Sequence, residues 1–208
     1  MPAYIVAEVT VSDPERFRAY QDLARPAVER YGGTFTASST DVRPLEGGWR
    51  PQRIVVVGFE SLERCRAFYD SPEYQAAIQA RMGAAQLQII AVEGVARPAP
   101  GPNRHASSEA EEAMPAYMIA EIEVTNPQQY EEYKKFSPGA IAKYGGRFVA
   151  RGGQTVVLEG DWHPKRVVIV EFDSLERAQQ FYNSPEYKQA IAARTGAANA
   201  RMVAVEGL

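Results

Sequence analysis

Three charged residues sit inside segments that otherwise read as apolar strands: Glu121 in AYMIAEIEV, Arg151 in RFVAR and Glu171 in RVVIVEF. A charge among alternating β-branched residues must be paired, reach solvent or serve a ligand, because an isolated buried charge is too costly to keep. If the neighbouring apolar residues face helices, the three charges point the other way and line a common cavity. Glu121 or Glu171 would then be a general base, and Arg151 would orient an anionic or carbonyl oxygen. These three are the catalytic candidates. An ion-paired network closing an interface is the alternative, and the residue types leave both open. Tyr117, Trp162 and Arg166 are candidate ligand-binding residues, as are Glu8, Trp49 and Arg53. Trp49 and Trp162 fall in turns, where a plug against a neighbouring surface and a stacking wall for a ligand are equal alternatives. Arg53 and Arg166 open strands, and Arg81 and Arg194 close helices. Those four positions suit salt bridges or the helix dipole.

Other chemistries lack a pattern. The two histidines, His105 and His163, are isolated, and no Cys/His cluster has ligand spacing. Neither metal nor haem is expected, and no cofactor is assigned. Cys65, the single cysteine, falls on a helical apolar stripe and reads as a small buried hydrophobe. There is no Gly-x-Ser-x-Gly and no plausible Ser-His-Asp set. Gly145-Gly146 and Gly152-Gly153 are too short for a phosphate loop; they read as a helix stop and a strand irregularity.

Most of these features occur twice. Residues 2–95 align with 115–208 at a constant offset of 113 without a gap, with 44 identities in 94 positions. Glu8 thereby matches Glu121, Trp49 matches Trp162 and Arg53 matches Arg166. The chain reads as repeat 1 (1–95), a flexible linker (96–113, ARPAPGPNRHASSEAEEA) and repeat 2 (114–208). In each repeat a strand with alternating faces (Ile5, Ala7 and Val9 against Tyr4, Val6 and Glu8) precedes a helix opened by Asp13-Pro14 or Asn126-Pro127. A double glycine ends the helix. A second strand is expected to run from Thr34 to Leu45, and from Arg147 to Leu158. A third covers Arg53–Phe59 or Arg166–Phe172. Helical segments capped by Ser61 and Ser71 follow, and Leu87–Glu93 or Ala200–Glu206 is the last strand. The order β-α-β-β-α-β is the ferredoxin-like plan, whose sheet has one face needing a cover.

GGRFVARGG, LEGDW, RVVIVEF and FYNSPEYKQAIAAR in repeat 2 resemble the family catalogued as domain of unknown function 1330, and both repeats share the match. The resemblance implies ferredoxin-like subunits of the dimeric α/β-barrel superfamily, in which two sheets pack through their uncovered faces. The expected fold class is therefore α+β, with the two repeats pairing as an intramolecular dimeric α/β barrel. The superfamily includes cofactor-independent monooxygenases, isomerases, cyclases and haem-handling enzymes, so the resemblance confers a fold and no agreed reaction.

Composition narrows the partners. With 45% hydrophobic and 24% charged residues the chain has the balance of a folded protein. A net charge of −3 argues against nucleic acid, and no apolar run reaches the roughly 18 residues that span a bilayer. One cysteine and no signal-like stretch after Met1 point to the cytoplasm. The expected partner is a small organic ligand, with a homodimer of the whole chain left open. The functional expectation is a cofactor-independent enzyme of oxygenase, isomerase or cyclase type; the alternative is a non-catalytic ligand-binding or structural module with a filled barrel. Repeat 2 is expected to hold the functional pocket, because Arg151 and Glu171 become Ser38 and Gly58 in repeat 1.

Overall fold

A computed structural model describes residues 1–96 and 114–208; the expected linker, and His105 with it, lies outside the described residues except for Ala96. Repeat 1 forms β1 (Ala3–Val11), α1 (Pro14–Arg30), β2 (Thr34–Ser39), β3 (Val42–Glu46), β4 (Arg53–Phe59), α2 (Leu62–Tyr69), α3 (Pro72–Arg81) and β5 (Ala85–Glu93). Repeat 2 forms β6 (Ala116–Val124), α4 (Pro127–Lys143), β7 (Arg147–Arg151), β8 (Thr155–Glu159), β9 (Val167–Phe172), α5 (Leu175–Asn183), α6 (Pro185–Arg194) and β10 (Ala198–Glu206). The starts of α1 and α4 follow from local chemistry. Asp13 accepts from the backbone N–H of Glu15 and Arg16, each at 3.1 Å, and Asn126 accepts from Gln129 at 3.2 Å. Pro14 and Pro127 fill the first helical position, where no N–H is needed.

The expected second strand is corrected. It breaks after Ser39, and after Arg151 in repeat 2, and its second half leaves for the other sheet. One sheet has the order β2-β4-β1-β5-β8 and the other β3-β10-β6-β9-β7. Each is thus a four-stranded ferredoxin-like sheet completed by a fifth strand from the other repeat. Strand β8 pairs antiparallel with β5, and β3 with β10. Three further backbone bonds tie the repeats: Glu93 N–H donates to the Gln154 carbonyl at 2.8 Å, Val95 N–H to the Val149 carbonyl at 2.9 Å, and Leu208 N–H to the Thr36 carbonyl at 3.0 Å.

The expected faces of the first strand of each repeat hold. Ile5, Ala7 and Val9 pack with Phe17, Val28 and Phe68 in a core between helices and sheet. Met118, Ala120 and Ile122 do the same in repeat 2. The other faces of the two sheets meet in a third core, built from Val6, Val56, Ile90, Ile119, Ile169 and Val203 among others. The class is α+β, two ferredoxin-like units paired through their sheets as in a dimeric α/β barrel. The two ladders do not join into one closed sheet; β2–β3 and β7–β8 turn the corners instead. No described helix is long and apolar enough to cross a membrane.

Candidate functional site

The structure distributes the sequence-predicted residues over three places. Glu8 and Glu121 point between the sheets, as expected, but their neighbours are tryptophans rather than an open cavity. Trp49 Nε1–H donates to Glu8 Oε2 at 3.1 Å, and Trp162 Nε1–H to Glu121 Oε2 at 3.0 Å. The two indoles are buried and meet edge to face with centroids 5.7 Å apart. They therefore plug one end of the inter-sheet core. Arg201 completes this cluster: its Nε donates to Glu121 Oε2 at 2.6 Å, and its guanidinium lies 4.6 Å from the Trp49 ring centroid. Sequence reasoning missed Arg201. Its counterpart Gln88 accepts from the Asp161 backbone N–H at 2.7 Å.

Glu171 lies four residues along β9 from Val167, the residue that pairs with Glu121, which puts it roughly 13 Å away along the strand. There it pairs with Arg147 at 2.5 Å and lies opposite Tyr117 in the ladder. Tyr117 is buried in the inter-sheet core. Arg151 is on neither Glu121's nor Glu171's face. A register shift between Phe148 and Ala150 puts Val149 and Ala150 both into the inter-sheet core, so Arg151 emerges on the helix side. The three catalytic candidates are accordingly not brought together. The expectation of a shared cavity between the sheets is corrected; that space is packed with side chains.

The vacant space lies elsewhere, under the long helices. In repeat 1 a cavity of about 90 Å³ opens between α1 and the sheet, walled by Ile5, Ala7, Ala24, Val28, Phe35 and Ile89 among others. Its polar groups are those of Tyr20, Gln21, Arg25, Ser38, Arg53 and Tyr74. The equivalent space in repeat 2 is only about 30 Å³. Met118 and Met202 there replace Ile5 and Ile89, and Arg151 replaces Ser38. Arg53 and Arg166 line these cavities, one in each repeat. Each has a buried Nε with no hydrogen-bond partner. Gly152 explains part of the Arg-Gly-Gly motif: at φ +70° it sits so close to the Arg166 guanidinium that a Cβ would fall 2.3 Å from it. Arg166 in turn donates to the Arg151 carbonyl at 3.2 Å.

At the cavity floor the Tyr20 and Tyr74 hydroxyls meet at 3.0 Å, and those of Tyr133 and Tyr187 at 3.3 Å. Burial pushes the phenols of Tyr20, Tyr74 and Tyr187 upward, so these hydroxyls stay protonated. Behind them lie two buried arginines. Arg81 pairs at 2.5 Å with Glu159 of the strand contributed by repeat 2, and Arg194 pairs at 2.5 Å with Glu46 of the strand contributed by repeat 1. Burial works against the Arg81 charge, but Glu159 more than offsets it and holds the guanidinium above its ordinary value. Tyr69 donates to Glu159 at 3.1 Å, and Tyr182 to Glu46 at 3.3 Å. The salt-bridging role expected for Arg81 and Arg194 is what the geometry shows, and each partner comes from the other repeat.

Paired ferredoxin-like sheets with helices on their outer faces define the dimeric α/β-barrel class. The family model described as domain of unknown function (DUF1330) matches residues 2–95 and again 115–208, and the chain belongs to that family as a tandem duplication. No curated protein shows significant similarity to the chain. Solved structures with the same fold include a candidate monooxygenase from Lactobacillus acidophilus NCFM, at 12% identity over all of this chain and 98% of that one, TM-score 0.51. A candidate monooxygenase from Fusobacterium nucleatum gives 9% over 100% and 96%, TM-score 0.52. A candidate dyp-type peroxidase from Shewanella oneidensis gives 8% over 99% and 92%, TM-score 0.53. At these identities the likeness is one of fold alone.

Proposed function

We propose that the chain binds a small, largely apolar organic molecule in the cavity between α1 and the sheet of repeat 1. The observation that carries this reading is the vacant, mostly apolar space of about 90 Å³ rimmed by a few polar groups. A volume of that order suits a ligand of about one ring or less without movement of the walls. Neither helix–sheet cavity has Asp, Glu or His in its lining. Burial keeps Tyr20 protonated, so it is a hydrogen-bond donor rather than a base. Binding without a carboxylate base is therefore the reading we favour over general-base catalysis by Glu121 or Glu171. The space between the sheets, filled by Trp49, Trp162 and their apolar neighbours, serves to join the repeats.

The test is ligand-induced thermal stabilisation with single-ring probes such as benzyl alcohol, comparing wild type with Ala24→Leu, which fills the cavity from α1. A probe at 100 times its dissociation constant adds about 2.7 kcal/mol, or about 5–10 °C for a chain of this size. Wild type should gain that stability and folded Ala24→Leu should not. Equal stabilisation of both proteins would place the ligand elsewhere.

A further inference from the structure

Both helix–sheet cavities contain guanidinium groups and no carboxylate. Arg25 and Arg53 line the first, and Arg151 and Arg166 the second. No ion pair involves any of these four among the described residues. By contrast, the buried Arg81 and Arg194 each have a glutamate at 2.5 Å. The cavity arginines thus differ from Arg81 and Arg194 in having no internal anion; a buried Nε–H is unsatisfied in Arg53 and Arg166, as it also is in Arg81 and Arg194.

Comparison of the repeats gives the second observation. Arg53 and Arg166 are equivalent positions, but Arg25 and Arg151 are not: Arg25 corresponds to Pro138, and Arg151 to Ser38. Even so, both side chains line the equivalent cavity and stand over the equivalent phenylalanine. Arg25 stands over the Phe35 ring at 5.5 Å, and Arg151 over the equivalent Phe148 ring at 4.4 Å. One guanidinium comes from the long helix and the other from the bulged strand, yet each lies against the same phenylalanine beside the same inner arginine. The strand arginine absent from repeat 1 is replaced in space by a helix arginine.

From this we infer that each repeat carries an anion-recognition site for a small organic carboxylate, formed by Arg25 with Arg53 in repeat 1 and by Arg151 with Arg166 in repeat 2. The inference rests on the pocket reading above and specifies the ligand's charge. A carboxylate supplies an anionic acceptor, which neither inner arginine has among the described residues, and a ring can enter the apolar part of the cavity. In repeat 2 the smaller cavity favours the shorter ligand.

Calorimetric titration of the full chain with benzoate, benzyl alcohol and acetate tests this. Benzoate should bind repeat 1 at least about tenfold more tightly than benzyl alcohol, and acetate should titrate both repeats. Arg53→Gln should weaken benzoate about tenfold or more, with Arg53→Lys between it and wild type. Arg25→Gln should weaken benzoate about threefold to tenfold. Adding Ser38→Arg to Arg25→Gln should restore affinity to within about threefold, because it moves the guanidinium to the strand as in repeat 2. Arg64→Gln, an exposed change outside both cavities, is the control for general charge. Equal affinity for benzoate and benzyl alcohol would overturn the charge assignment and leave the pocket reading intact. Failure of Ser38→Arg to rescue would overturn the exchange of positions. If no probe binds, both readings fall.

Discussion

Cys65 has no solvent exposure, and burial pushes its thiol up to about 12. A thiolate is then absent at neutral pH, and the group should resist disulfide reagents until the protein unfolds. Reaction of the native protein at the rate of a free thiol would contradict this. Ala178 occupies the equivalent site, so Cys65→Ala should cost no more than about 1 kcal/mol in chemical denaturation. The tyrosines give a pH dependence of definite sign. Burial pushes Tyr130 and Tyr182 up to about 12, and Tyr20, Tyr74 and Tyr187 also shift upward. A folded-state value above the ordinary value near 10 favours the protonated form. The stability it supports is complete below about pH 10 and is lost as pH rises through about 12. Urea midpoints should therefore fall above about pH 10; a flat profile to pH 12 would contradict the burial of these phenols.

The fifth strand of each sheet is where the repeats depend on each other. Arg81 has only 5% of its side chain exposed and is neutralised by Glu159 of β8. Glu159→Ala leaves a buried guanidinium without its anion and should cost about 3–5 kcal/mol, as should Glu46→Ala at the pseudo-equivalent pair. Exchanging both partners, Arg81→Met with Glu159→Leu, should cost much less. Equal losses in the single and double variants would show that the pair is not coupled. Helix starts at Asp13 and Asn126, glycine stops and the faces of β1 and β6 were legible in the sequence because each depends on a few adjacent residues. The change of sheet after Ser39 and Arg151 was not, since a strand that turns a corner has the same residue types as one that continues. The bulge at Val149 was equally silent. Parity counted straight through it put Arg151 on the wrong face, and the candidate trio fell apart for that reason. Arg25 could have been found only by comparing where side chains end, since its aligned position holds a proline.

At the scale of the whole molecule, the duplication makes one chain of what would otherwise be a symmetric pair. The strands exchanged between the sheets and the shared inter-sheet core predict a solution mass near 23 kDa, one chain, by light scattering. Residues 1–95 alone have an Arg81 without Glu159, but a second copy offers Glu46 in the same place. That fragment should therefore associate as a dimer or fail to fold; a stable folded monomer would contradict the interlocking. The central claim is that ligands enter under the helices and not between the sheets. Isoleucine methyl NMR during a benzoate titration separates the two directly. Ile5 and Ile89 line the repeat 1 cavity, whereas Ile54, Ile90, Ile119 and Ile169 are buried between the sheets. The account predicts saturable shifts at Ile5 and Ile89 with the four inter-sheet methyls unmoved; shifts confined to those four would contradict it.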